Sequence, residues 1–126
     1  KYIVKFLEAY AAEGVTINSL SPQNEVDTDQ DGLMPACFWA QENEMEYVAT
    51  HLCPELAENT IDTKIWILDH NYNLWGRVIC ELENPEVNKY VDGVAWHGYA
   101  SRQRDDPRAR SLPRQTCLLD RGWSDA

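Results

Sequence analysis

Three short runs rich in β-formers, residues 15–20 (VTINSL), 64–69 (KIWILD) and 92–99 (DGVAWHGY), alternate with stretches whose apolar residues recur at helical spacing. Tyr2, Ile3, Phe6, Leu7 and Tyr10 mark a first helix, which Gly14 ends. Met45, Val48, Leu52 and Leu56 mark a second from about Gln41 to Asn59, which Pro54 kinks or divides. Leu74 to Leu82 and Pro85 to Tyr90 supply two more, with Pro85 suited to a first turn. Strict alternation of this kind implies βαβ units and a parallel sheet. KIWILD is an uninterrupted apolar run, as in sheets covered on both faces.

Each β-run hands over to residues capable of chemistry. Asn24 and Glu25 follow the first, Asp69 and His70 end the second, and Trp96, His97 and Tyr99 lie in the end of the third. Neighbouring parallel strands therefore aim polar and aromatic groups at one rim, the layout of a (β/α)8 TIM barrel, although doubly wound sheets also bind ligands there. A whole barrel takes about 250 residues. The 126 residues of this chain supply about half of one, and residues 1–100 are expected to be a partial barrel domain.

Charge divides the chain in the same place. Residues 1–100 hold 5 Lys+Arg and 17 Asp+Glu, a net of −12, whereas residues 101–126 hold 6 Arg and 4 Asp, a net of +2. The acidic body carries no basic run that would attract phosphates, so nucleic-acid binding is excluded. No stretch of about 18 apolar residues is present to span a bilayer. The opening KYIVKFLEAYAAEG is amphipathic and acidic, unlike a signal peptide, and is expected to be a mid-chain segment. The tail, with Pro107 and Pro113, is expected to be a degraded sixth helix and seventh strand, or a truncated or joined end.

Cys37, Cys53, Cys80 and Cys117 show no CxxC or CxxH pairing, so they are expected to be free buried thiols, and the compartment, secreted or otherwise, stays open. Asp27, Asp29, Asp31 and Gly32 match the first half of an EF-hand loop, but the twelfth position is Phe38. The bidentate ligand is missing, and the stretch is expected to be a solvated acidic loop. No metal and no cofactor is expected.

Glu25, at a strand end and partly desolvated, is suited to general acid work near neutral pH. The alternative is a turn or cap residue. His97, between Trp96 and Tyr99, would offer a donor beside a stacking wall for a sugar ring, or be a histidine packed in an aromatic strand. Asp69 and His70 are site acids or the cap of the following helix.

Together, Ser21-Pro22-Gln23-Asn24-Glu25, Met34-Pro35-Ala36-Cys37-Phe38-Trp39, residues 64–73 (KIWILDHNYN) and residues 90–99 (YVDGVAWHGY) resemble glycoside hydrolase family 30, the glucosylceramidase-like group of retaining β-glycosidases. The resemblance implies a barrel that this chain enters at the helix before the fourth strand. It implies that Glu25 is the acid/base, that Asn24 contacts the sugar 2-hydroxyl, and that Asp69, Trp96, His97 and Tyr99 line the sugar site. The substrate would be a carbohydrate or glycolipid. Val26 stands where the family has Pro, and Gly98 where it has Trp. The family's nucleophile is a Glu ending the seventh strand, and Asp120 would occupy its place here. One methylene fewer would draw that carboxylate back by about an ångström, enough to lower a rate about a hundredfold. A non-catalytic carbohydrate- or partner-binding module, or an inactive fragment, are the alternatives.

Overall fold

The structure, a computed structural model, describes residues 1–26 and 37–98. The sequence-derived assignments to Asp27, Asp29, Asp31, Gly32, Met34 to Ala36, Tyr99, Cys117, Asp120 and the tail 101–126 lie outside the described residues.

Helix α1 (Tyr2–Ala12) precedes β1 (Ser19–Leu20). A continuous helical run follows as α2 (Gln41–Glu46), a π-helical turn (Tyr47–Leu52) and α3 (Cys53–Glu58). Strand β2 (Lys64–Asn71) leads through a 3-10 turn (Tyr72–Leu74) into α4 (Trp75–Glu83), α5 (Pro85–Asn88) and β3 (Val91–His97). The three strands pair in parallel in the order β1-β2-β3. Strand order that follows chain order without reversal is what a barrel segment requires.

The helix ends follow from local chemistry. Gly14 adopts φ 81°, and the amides of Gly14 and Val15 return to the carbonyls of Ala11 and Tyr10 at 3.0 and 2.9 Å. This is a Schellman closure, in which glycine carries no Cβ penalty. The same closure ends α3, where the amides of Thr60 and Ile61 reach Ala57 and Leu56 at 3.1 and 3.0 Å and Thr60 takes φ 57°. Asn84 caps α5 by accepting the Glu86 amide at 3.0 Å, and Pro85 occupies the first turn. Pro54 does not break the second helix. The π turn ahead of it rearranges the hydrogen-bond ladder, so that Pro54 falls in the first turn of α3, where its missing donor is harmless.

The core lies between the sheet and the helices. Ile65, Ile67, Leu68, Val91 and Val94 from the strands meet Val48, Leu52 and Leu56, and Val78 and Leu82, from the helices. α1 differs from its expected stripe: Val4 and Leu7 are buried, whereas Tyr2 is 80% exposed. Among the described cysteines only Cys53 is buried; Cys37 and Cys80 are exposed, so the expected burial of the thiols holds for one. Burial, with the Asp92 charge adding to it, pushes the Cys53 thiol up to about 11. No described helix is long and apolar enough to cross a membrane.

Two strand ends depart from expectation. β1 is confined to Ser19–Leu20, so Glu25 stands on a turn beyond it and not on the strand itself. β2 does not stop at Asp69 but continues to Asn71 through a bulge. Ile67 pairs with Val94 and His70 with Trp96, which leaves Leu68 and Asp69 opposite Ala95 alone. Both bulged residues are left-handed, with φ 73° and 47°. Burial along β2 changes phase there, Ile65 and Ile67 being followed by Leu68 and His70.

Candidate active site

The bulge decides where Asp69 points. Its carboxylate turns to the carboxyl ends of the strands, where Ser21 Oγ donates to Oδ2 and His97 Nε2 lies 2.9 Å from Oδ1. The other ring nitrogen, His97 Nδ1, lies 3.1 Å from Glu25 Oε1. Glu25 is itself left-handed, at φ 51°, and its amide donates to the Asp69 carbonyl at 2.8 Å. One imidazole therefore sits between two carboxylates, and each carboxylate hangs from a left-handed residue. Such conformations cost about 1–3 kcal/mol apiece and persist only where the surroundings over-determine them.

The three side chains are 20%, 23% and 19% exposed for Glu25, Asp69 and His97. They are open enough for a ligand to touch and shielded enough for charge to act over short distances. Asn24 is exposed immediately before Glu25, and its carbonyl accepts from Gln23 Nε2 at 3.0 Å. Trp96 turns to the other side of β3, as strand alternation requires, and packs on Tyr72 and Trp75 with ring centroids 5.1 and 4.5 Å apart. The structure thus brings Glu25, Asp69 and His97 together and places Trp96 in an adjoining aromatic cluster. The cap alternative for Asp69 and His70 falls away: the strand runs past both, and Asn71 precedes the 3-10 turn without a side-chain cap bond.

Glu25, His70 and His97 each offer an atom that could ligate a metal, within 4.8 Å of one another. Both His97 nitrogens already face carboxylates, and a cation would have to displace one of these contacts. As it stands the cluster is an imidazole bridged between two carboxylates.

Sequence reading passed over two buried glutamates and the part-buried arginine between them, behind this cluster. Glu44 is 1% and Glu81 0% exposed, and Arg77 lies between them, with Nη2 2.5 Å from Glu44 Oε2 and Nε 2.8 Å from Glu81 Oε1. Burial, then the Glu44 charge, pushes the Glu81 carboxyl up to about 9, against the opposing pull of Arg77. Glu81 therefore keeps its proton at neutral pH, and the cluster balances one anion against one cation. A signal was present: Glu44 falls on the stripe of Val48 and Leu52, and Arg77 is the sole arginine in residues 1–100.

In-order parallel strands with carboxylates at their carboxyl ends are the layout of a barrel segment whose site lies on the C-terminal face. The family model of the glycosyl hydrolase family 30 TIM-barrel domain matches residues 1–115. The chain belongs to glycosyl hydrolase family 30. It is 35% identical over 101 residues to an endo-1,6-beta-D-glucanase of Neurospora crassa, covering 80% of this chain and 20% of that protein. It is 34% identical over 103 residues to the lysosomal acid glucosylceramidase of Mus musculus, covering 78% and 20%. Among solved structures, an endo-beta1,6-glucanase superposes with a TM-score of 0.73 at 30% identity, covering 79% of this chain and 23% of that one. The chain spans about a fifth of the length of the curated relatives it matches.

Proposed function

We propose that this sequence belongs to a retaining β-glycoside hydrolase that cleaves a β-linked glucoside by double displacement, with Glu25 as acid/base. The observation that carries the reading is the Glu25-His97-Asp69 cluster at the ends of successive parallel strands. Relatives named for 1,6-β-glucan and for glucosylceramide share a β-glucosyl unit while differing in what is attached to it, which favours glucose in the reacting position.

His97 reaches both carboxylates, Nε2 to Asp69 and Nδ1 to Glu25, and so fixes the orientation of the Glu25 carboxyl for proton transfer. In the first step a proton passes from Glu25 to the glycosidic oxygen as the bond to the anomeric carbon breaks and a second carboxylate bonds to that carbon. In the second step water attacks the same carbon, releases the carboxylate and returns a proton to Glu25. In this reading Asn24, exposed beside Glu25, meets the sugar 2-hydroxyl and Tyr99 supplies an aromatic face, while Trp96, on the other side of β3, backs the strand against Tyr72 and Trp75. The second carboxylate would be that of Asp120, which the family resemblance sets at the nucleophile position.

The test is hydrolysis of a nitrophenyl β-glucoside by the enzyme that carries this sequence, with and without Glu25→Gln. Loss of about 10²–10⁴-fold in turnover is the expected result for removal of a general acid. Unchanged turnover overturns the assignment.

A further inference from the structure

We propose that Glu44 and Arg77 are positioning residues for this reaction, acting from behind the sheet on the two left-handed turns that carry Asp69 and Glu25. The inference rests on the acid/base reading above and adds to it the device that holds the acid in place.

Two routes run from the Arg77 guanidinium to the Glu25-His97-Asp69 cluster. In one, Nη2 pairs with Glu44 Oε2, and Glu44 Oε1 accepts the amide of Leu68 at 3.0 Å. That amide belongs to the first bulged residue of β2, and Asp69 is the second. At a bulge the strand ladder is locally disrupted, and Glu44 supplies an acceptor to the Leu68 amide there. In the other route, Arg77 Nη1 donates to the Trp39 carbonyl at 2.6 Å, and the Trp39 amide donates to the Val26 carbonyl at 2.9 Å. Val26 is fully buried and adjoins Glu25. One part-buried cation thus reaches the chain segments on both sides of His97.

A buried ion network is a poor device for stability alone, since apolar packing of equal volume often does as well or better. Its worth here is directional. Three donors in the fixed fork of Arg77 go to Glu44, Glu81 and Trp39, a division that a lysine ammonium cannot reproduce in the same geometry. Glu81 completes the set: it accepts from Arg77 Nε and, being protonated, adds no second negative charge.

Glu44→Ala removes the acceptor of the Leu68 amide; it also removes the charge that helps keep the proton on Glu81, so that Arg77 draws Glu81 toward its ionised form as a replacement counter-ion. Glu44→Gln keeps an oxygen for that amide. In the enzyme that carries this sequence, Glu44→Ala is expected to lower kcat on a nitrophenyl β-glucoside about 10- to 100-fold with KM within about 3-fold, the scale of a misplaced reacting group. It is also expected to move the titration midpoint of the His97 imidazole, followed by NMR of its ring protons. Glu44→Gln is expected to restore both readings toward the parent. Arg77→Lys serves as the second variant if Glu44→Ala fails to fold, with the same two changes expected. Folded Glu44→Ala or Arg77→Lys with parent kcat and a parent His97 titration overturns the proposal. A parent enzyme without glucosidase activity would sink the hydrolase reading, while the His97 titration would still decide the positioning role.

Discussion

His97 Nε2 and Asp69 Oδ1 are 2.9 Å apart, and the contact exists because β2 admits one extra residue before Asp69 reaches the sheet rim. Ser21 holds the same carboxylate from its other side. Asp69→Asn keeps the shape of the side chain but replaces one carboxylate oxygen facing this cluster with an amide donor. The expected outcome is a fall in kcat of about 10²-fold with KM little changed, since the loss is confined to proton transfer. Steady-state kinetics on a nitrophenyl β-glucoside checks it, and a kcat within a factor of about two of the parent removes Asp69 from the proton-transfer machinery.

The protonated Glu81 makes a second prediction, about stability and pH. Its folded pKa, pushed up to about 9, lies far above the value of about 4.3 for an unfolded glutamate. Below the lower value both states hold the proton and the stabilisation is complete. Between the two values the unfolded chain ionises while the folded one does not, so stability falls as pH rises through that window. Glu81→Gln keeps an oxygen for Arg77 Nε and cannot ionise. The decline in melting temperature from about pH 5 to about pH 8.5 is therefore expected to be shallower in the variant. Parallel melting curves against pH for parent and variant would show Glu81 ionised in the fold.

Where local chemistry decides, the sequence sufficed. Gly14 and Pro85 mark helix boundaries, and apolar runs set the order of strands and their parallel pairing. The gathering of Glu25, Asp69 and His97 at one rim was legible as well, because each follows or ends a β-run and parallel strands bring such ends together; the hydrogen bonds of His97 to both carboxylates were not. What escaped was the bulge. Leu68 and Asp69 take left-handed angles without a glycine, so nothing in KIWILDHN announces a change of phase; the Glu44 acceptor and the Glu25 amide impose it from elsewhere in the chain. Glu44 escaped for the opposite reason. In QENEMEYV it sits among acids that suit a solvated face, and only its four-residue spacing to Val48 separates it from them. Trp96 shows the limit of inference from residue type, since alternation along β3 sends it away from its neighbour His97.

Val26 gives a third prediction. It is fully buried, and its carbonyl receives the Trp39 amide just after Glu25 turns left-handed. Val26→Ala is expected to lose about 1–3 kcal/mol, a valine's burial plus the void left behind. If the turn and the Glu25-His97-Asp69 cluster are coupled, kcat falls with it in the folded variant. Chemical denaturation and kinetics on one preparation separate the two effects; loss of stability with parent kcat would uncouple Val26 from the site.

Thr60 allows a prediction far from the chemistry. It closes α3 in the same Schellman geometry that Gly14 provides for α1, yet it is β-branched and exposed at φ 57°. A left-handed L-residue costs about 1–2 kcal/mol, whereas glycine takes the angle freely and gives back about 0.5–1 kcal/mol through the greater freedom of its unfolded chain. The difference favours glycine, so Thr60→Gly is expected to raise stability by about 0.5–1 kcal/mol without touching kcat. The converse substitution, Gly14→Ala, places a Cβ at φ 81° and is expected to lower stability by about 1 kcal/mol, although nothing lies within 4 Å of that Cβ to clash with it. Opposite signs in thermal melts of the two variants would establish that the backbone angle, and not side-chain packing, sets these helix ends.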